Sequence, residues 1–466
     1  MLNTLALSQL SELTSAHWLT SEVDFHCLGV STDSRSIQPG ELYVALKGER
    51  FNGHDFLPQV RDAGAAAALV DEIPDDEVLA GLSGLPLLQV SDCLVALGDI
   101  ARWQRRQFTG PVVAVTGSAG KTSVKQLMAN VLSQQYNTWM TQGNLNNHIG
   151  VPLTLLALQP EHQAAVIELG ASGLSEIAYT AQFVEPQVGI ITNASAAHLD
   201  GFGSLEGIVQ TKGELIDFIQ PDGTAVLNAD DEFFPVWLAR AQTRKLNIMT
   251  FGLSANADVR AGQIHTDLQG CHFSLQIAEG VHEVFLPLLG EHNVRNALAV
   301  VAAALAVNMP VGKIINGLQT AEAFAGRLRW CDGAVGQRIL DDSYNASPAS
   351  VRAAIDVLAG AENSWLILGD MAELGKEADT IHHDIGRYAR EQGIQHLVAT
   401  GTKTKNSVAA FGDQGTWFSQ RDELVRYLQQ QTRADDVLLV KGSRSAGMDK
   451  VVKALQSVVP IGEEEN

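Results

Sequence analysis

Four apolar residues, 112–115, run without a break into Thr116-Gly117-Ser118-Ala119-Gly120-Lys121-Thr122-Ser123, and few folds tolerate that order. A short buried strand, a glycine turn and a helix start make the frame of a phosphate loop. Successive backbone N–H groups in such a turn point inward, and the helix N-terminus adds partial positive charge. Lys121 then reaches the terminal phosphates of a nucleotide, and the Thr122 hydroxyl is placed to ligate Mg2+. The strict GxxxxGK[ST] pattern asks for glycine at 115, where this chain has Val115, so the loop is a variant. A Gly-Lys-Thr string alone arises readily by chance; here both flanks are correct.

After the loop, apolar runs of strand length at 164–167, 188–192 and 225–227 alternate with helical stretches, the pattern of a parallel sheet covered on both faces. The first of these runs ends in Glu168, an acid at the carboxyl edge of the sheet, where a metal-binding carboxylate would face the phosphates. The second leads into Thr192-Asn193-Ala194-Ser195-Ala196-Ala197-His198. A lone loop histidine is seldom a ligand, but His198 shares an edge with Glu168. Next the period switches to two: 271–277 alternates, Glu279-Gly280 turns, and 283–286 returns, which predicts an antiparallel hairpin. A helix is expected to start near Asn293.

A third series places strands at 338–341, 365–368, 397–400 and 437–440 between helical stretches, a doubly wound unit. It has no GxGxxG, so no dinucleotide is expected there. Residues 1–91 contain short strands and polar loops, among them Ser31-Thr32-Asp33-Ser34-Arg35 and Lys47-Gly48-Glu49-Arg50-Phe51-Asn52-Gly53-His54. The expected fold is α/β in three domains: a small N-terminal α/β module (1–91), a central P-loop mixed-sheet domain (92–324) and a C-terminal Rossmann-like domain (325–466). A chain of 466 residues fits that division at about 150 residues per domain.

Composition narrows the partners. With 32 Lys plus Arg against 53 Asp plus Glu, the net charge is −21, which disfavours nucleic acid and anionic lipid. Any anion must be held locally by a few donors. The longest apolar run, 297–307, falls short of the ~20 residues a bilayer span needs and reads as a buried helix segment. Neither a basic leader nor a cleavage site opens the chain, so a cytoplasmic protein is expected. Cys27, Cys93, Cys271 and Cys331 form no CxxC pair and read as buried small residues. The tail Gly462-Glu463-Glu464-Glu465-Asn466 reads as a solvated acidic run.

Taken in order, the Thr-Gly-Ser-x-Gly-Lys-Thr loop, Glu168, His198, Thr211-Lys212-Gly213-Glu214 and Gly290-Glu291-His292-Asn293-Val294-Arg295-Asn296-Ala297 resemble the Mur ligases and their folylpolyglutamate synthase relatives. Four further blocks resemble the branch that adds a D-alanyl dipeptide. They are Gly143-Asn144-Leu145-Asn146-Asn147-His148-Ile149-Gly150-Val151-Pro152, Glu168-Leu169-Gly170-Ala171-Ser172, Asp341-Asp342-Ser343-Tyr344-Asn345-Ala346 and Leu368-Gly369-Asp370-Met371-Ala372-Glu373-Leu374-Gly375.

The resemblance implies an ATP-dependent amide ligase. ATP phosphorylates the terminal carboxylate of UDP-N-acetylmuramoyl-tripeptide, and D-alanyl-D-alanine displaces phosphate from the acyl phosphate. It also implies Mg2+ on Thr122 and Glu168, and a second Mg2+ on Glu168, His198 and a carbamylated Lys212. A lysine with an ordinary pKa of ~10.4 is a free amine in about one part in ~10³ at neutral pH, so carbamylation needs a site that favours the neutral form. His292, Asn293 and Asn296 would hold the adenine and ribose side of ATP, with Arg327, Asp342 and Asn345 reaching it from the third domain. Ser34, Arg35 and Lys47 would meet the uridine nucleotide, with Asn144, Asn146 and Asn147 nearer the sugar and diphosphate. Lys441 and Arg444 would meet a substrate carboxylate. A monomer that closes about a hinge at 324–327 is expected.

The nearest alternative is the family member that adds the third amino acid, but its Asp-Asn-Pro-Arg motif is absent. Folylpolyglutamate synthase lacks the uridine-binding first domain. A GTP-type switch would need an Asn-Lys-x-Asp guanine motif, and none follows the loop.

Overall fold

A computed structural model describes residues 1–20, 23, 25–48, 50–195 and 199–456; His198 and the tail 462–466, both singled out above, lie outside the described residues. The N-terminal sheet has five strands in the order His17–Trp18, Leu87–Gln89, Ala67–Val70, Glu41–Val44, Gly29–Ser31. All neighbours run parallel except His17–Trp18. The C-terminal sheet has six, ordered Arg329–Asp332, Arg338–Asp342, Val437–Lys441, Ser364–Gly369, His396–Thr400, Gly415–Phe418, and only the first is antiparallel. Its alternate residues feed two cores, with Leu340, Leu366 and Leu439 on one face and Ile339, Ile367 and Val440 on the other. Helices therefore cover both faces, as a doubly wound unit requires.

Between them lies a nine-stranded mixed sheet. From one edge it runs Gly280–Leu286, Cys271–Ile277, Val259–Thr266, Asn247–Gly252, Thr224–Asn228, Val188–Ile191, Val112–Thr116, Ala164–Glu168, Thr138–Met140. The hairpin at the first edge is antiparallel, while the strands from Asn247 to the far edge are parallel. Val113 and Val115 pack into one core with the helices Lys121–Leu132 and Glu291–Ala306, whereas Val112 and Ala114 pack into the core beneath Cys93–Arg106. A strand buried on both faces has no polar side to show, which is why 112–115 is an uninterrupted apolar run.

Val112–Thr116 lies between Ala164–Glu168 and Val188–Ile191, so the chain leaves it toward one side of the sheet and later returns on the other. Such a switch point opens a crevice beyond the carboxyl ends of the strands. The register brings Glu168 beside Val115 and Ile191 beside Thr116, so the loop, the acid and the segment after Ile191 meet at that crevice.

The N-terminal sheet is fixed to the central one by Cys93–Arg106, whose buried residues share a core with both. Arg105, 3% exposed, donates to the carbonyls of Val184 (2.7 Å), Glu185 (2.9 Å) and Phe108 (3.1 Å). Two of these carbonyls end the helix Glu176–Val184, where a cation also meets the negative end of the helix dipole. Arg105→Met leaves the Val184 and Phe108 carbonyls without this donor, while Glu185 O keeps Gln220 Nε2 (2.9 Å), and is expected to cost about 3 kcal/mol, read as a lower urea midpoint at unchanged slope. Among the described residues, no helix is long and apolar enough to cross a membrane.

Candidate active site

The phosphate loop occupies the switch point. Gly117 has φ +147°, and a Cβ there would stand 1.9 Å from Thr192 Oγ1; Gly120 has φ +84°, with Asn296 Oδ1 2.5 Å from a Cβ. Only glycine suits these positions, since an L-residue would be strained and would fill the turn. Asn193 braces the loop from the neighbouring strand end. Its carbonyl accepts Ser118 N–H (3.0 Å), its Oδ1 accepts Ala119 N–H (3.0 Å), and its Nδ2 donates to Ala119 O (3.1 Å). Lys121 Nζ folds onto the carbonyls of Gly117 (2.7 Å) and Ser118 (3.4 Å). Burial lowers its pKa, Glu168 opposes that, and Arg327 adds to it.

Glu168 is the centre of the crevice and is 2% exposed. Its Oε1 accepts from Asn146 Nδ2 (2.9 Å) and from the Thr122 hydroxyl (3.2 Å), while Arg327 Nη2 donates to that same hydroxyl (3.1 Å). Two segments thus converge on the carboxylate, and a third reaches the hydroxyl bonded to it. Its Oε2 has no hydrogen bond, although Lys125 Nζ, 1% exposed at the side chain, lies 3.4 Å away as an ion pair. On the crevice side, Glu168 Oε1 and the Thr122 hydroxyl beside it are a donor set of hard oxygens that suits Mg2+.

The surrounding cavity, about 420 Å3, is lined by the loop residues 118–123, Asn146 and Glu168, by His292, Asn293 and Asn296, and by Arg327, Asp342, Tyr344, Asn345 and Lys441. Gly290, at φ +86°, starts the helix that carries His292. Burial, then the Lys441 and Arg295 charges, pushes His292 down to about 4, so its imidazole is neutral. Asn293 Nδ2 reaches back to Leu289 O (2.9 Å), and Asn296 Nδ2 donates to Asn293 Oδ1 (3.0 Å). Arg327 stacks over Tyr344 at 4.6 Å.

The other residues singled out in the sequence have these surroundings. Lys441 lines the cavity, but its ammonium is engaged by Asp342 Oδ2 (2.5 Å) and Asn345 O (2.9 Å). Arg444 is exposed, 5.5 Å from the Tyr344 ring. Asn147 Oδ1 accepts the N–H groups of Ile149 (3.2 Å) and Gly150 (2.8 Å) at the start of Gly150–Leu156, and Asn144 is exposed. Thr116 Oγ1 points inward, to Leu169 O (2.9 Å). Lys212, 2% exposed, lies 5.1 Å from the Phe202 ring centre. In the N-terminal module Ser34 is buried, Arg35 pairs with Asp33 (2.7 Å), and Lys47 pairs with Glu72 (2.5 Å). Lys125 lies outside every quoted motif, and Asn193 and Tyr344 stand inside quoted segments without a role assigned there. A lysine four residues after Lys121, among Val124, Leu127 and Met128 on a buried face, is the sequence signal for Lys125.

Three family models cover most of the chain: "Mur ligase family, catalytic domain" over residues 26–104, "Mur ligase middle domain" over 115–304, and "Mur ligase, glutamate ligase domain" over 326–444. UDP-N-acetylmuramoyl-tripeptide--D-alanyl-D-alanine ligase of Escherichia coli (strain K12) is 42% identical over 454 residues, 97% of this chain and 98% of that protein. This chain belongs to the Mur ligase family. Its architecture matches that of Mur ligase crystal structures. MurF from Acinetobacter baumannii superposes with a TM-score of 0.89 at 35% identity, covering 98% of this chain and 99% of that one. A MurF ligase from Thermotoga maritima, solved in complex with ADP, shares the fold at a TM-score of 0.82 and 24% identity, over 92% of this chain and 97% of that one.

Proposed function

We propose that this chain joins D-alanyl-D-alanine to UDP-N-acetylmuramoyl-tripeptide in peptidoglycan precursor synthesis, converting ATP to ADP and phosphate, as a monomer in the cytoplasm. The observation that carries the reading is the convergence of Thr122, Asn146 and Arg327 around Glu168, at the mouth of a phosphate loop in a cavity walled by two domains. In the domain division 1–91, 92–324 and 325–466, the first domain takes the UDP-linked substrate, the second takes ATP, and the third closes over both.

A free carboxylate is a poor electrophile, because its leaving group would be oxide. In the first step a carboxylate oxygen of the tripeptide attacks the γ-phosphorus, and the bond to ADP breaks. The dipeptide amine then attacks the acyl carbon, the bond to phosphate breaks, and the amine gives up a proton as the amide forms. Phosphoryl transfer of this kind depends on alignment and on neutralising charge. Lys121 and the loop N–H groups hold the terminal phosphates. His292, Asn293 and Asn296 hold the adenine and ribose side, where a neutral imidazole accepts or donates without adding charge. Arg327, Asp342 and Asn345 come from the third domain, and closure about 324–327 excludes water from an intermediate that hydrolysis would waste.

Thr122 and Glu168 would hold Mg2+, and Glu168 with His198 and a carbamylated Lys212 would hold a second ion. Mg2+ bound there would neutralise phosphate charge and withdraw electrons from phosphorus. Burial first, and the Lys121 charge second, bring Lys212 down to about 7, so a large fraction is free amine at neutral pH. Its lone pair can bond to the carbon of CO2 with loss of one proton, giving an anionic carbamate. Ser34, Arg35 and Lys47 serve the uridine nucleotide, and Asn144, Asn146 and Asn147 the sugar and diphosphate. Of the two C-terminal cations, Arg444 is the freer to take a substrate carboxylate, since Lys441 already holds Asp342.

The test is phosphate release from ATP with UDP-N-acetylmuramoyl-tripeptide, offered D-alanyl-D-alanine or single amino acids. Release that requires the dipeptide is expected. Equal release without it, or with a single amino acid and the dipeptide-stage precursor, would overturn the assignment.

A further inference from the structure

Lys125 has no part in the mechanism above, yet it is among the largest fully buried side chains of the molecule. It stands one helical turn after Lys121 on Lys121–Leu132, so both ammonium groups rise from the same side of the helix. The two oxygens of Glu168 face different surroundings. Oε1 is turned to the crevice by Asn146 and Thr122, while Oε2 faces Lys125 Nζ at 3.4 Å with no hydrogen bond of its own. Lysine is almost never buried unless paired, and Glu168 is the acid it pairs with here.

We propose that Lys125 is a positioning residue for the metal-holding carboxylate: a fixed countercharge behind Glu168 that turns Oε1 outward and sets a weak affinity for divalent cation before nucleotide arrives. This rests on the assignment of Glu168 as a metal ligand. A buried carboxylate without a cation is costly, so a permanent partner offsets that cost when no metal is bound. The same positive charge opposes a second cation nearby, because like charges in a weakly screened interior repel strongly. The metal is then taken up mainly together with the nucleotide phosphates, whose charge outweighs that of Lys125.

The experiment is Mn2+ binding to the full chain by electron paramagnetic resonance without nucleotide, alongside thermal melts with and without Mn2+. Lys125→Met is expected to bind Mn2+ at least about tenfold more tightly than the parent chain, from the loss of one nearby positive charge. Its melting temperature should be lower without metal and rise further on adding Mn2+. Lys125→Arg, which keeps the charge, should stay close to the parent in both readouts. If Lys125→Met folds poorly, Lys125→Gln carries the same expectation. Mn2+ affinity and Mn2+-induced stabilisation unchanged in the neutral variants would overturn the proposal, provided Glu168→Gln weakens binding. If Glu168→Gln binds Mn2+ as the parent does, the metal-ligand assignment itself is what fails.

Discussion

Lys121→Ala is expected to lower dipeptide-dependent phosphate release by about 10³-fold, the scale on which one preorganised transition-state donor matters. In the structure Nζ is held by the carbonyls of Gly117 and Ser118, which point it into the loop. It is lodged where the terminal phosphates would lie, and a phosphate oxygen would take the place of those carbonyls. The developing negative charge in phosphoryl transfer sits on these same oxygens, so the ammonium acts more on the transition state than on ATP itself. The loss should therefore fall more on kcat than on KM for ATP. Folding should be little affected, because water can satisfy the two carbonyls; a urea midpoint unchanged within error checks this. A variant with near-parent kcat would remove Lys121 from the chemistry.

Lys212→Ala is expected to cost at least about a hundredfold in the same assay, and millimolar acetate or formate should restore part of the rate. Rescue by a small carboxylate is the distinguishing result, since it replaces an anion rather than an ammonium. The pH dependence follows from the lowered pKa. In the folded chain the amine is neutral above about 7 and protonated below it, and only the neutral form can attack CO2. Activity of the parent chain should fall as pH drops through about 7, and bicarbonate should oppose the fall. The stability sign is separate. Between about 7 and the ordinary lysine range the unfolded chain binds a proton that the folded chain does not, so this group makes stability rise with pH across that window. Full activity of Lys212→Ala, with no response to carboxylates, would eliminate the carbamate.

The centre of the site is legible in the sequence because each of its parts has a local signature. A strand buried on both faces must be apolar throughout, a phosphate turn must have glycine where φ is positive, and an acid directly after a buried strand must lie at the sheet edge. Thr116 to Ser123 and Glu168 follow from those three constraints. Short edge strands do not carry such a signature: Thr138–Met140 and Gly415–Phe418 are half-buried and too short to show a period. Arg329–Asp332 joins its sheet antiparallel at an edge, where exposed polar residues look like loop. The role of Lys125 is hidden in the sequence because its partner Glu168 is brought to it only by sheet topology. The sequence shows Lys441 as a strand-end lysine but not its pairing with Asp342, which the parallel register of their two strands brings about. The hydrogen bonds of Asn147 to the next helix start, by contrast, are purely local.

The most direct measurement follows oxygen. With the terminal carboxylate of UDP-N-acetylmuramoyl-tripeptide labelled with oxygen-18, ligation to D-alanyl-D-alanine through an acyl phosphate must move one labelled oxygen into phosphate for each amide formed. That transfer, in step with product and dependent on ATP, is the expected result. Amide formed with unlabelled phosphate would contradict it, because the carboxylate would then never have been phosphorylated at this loop.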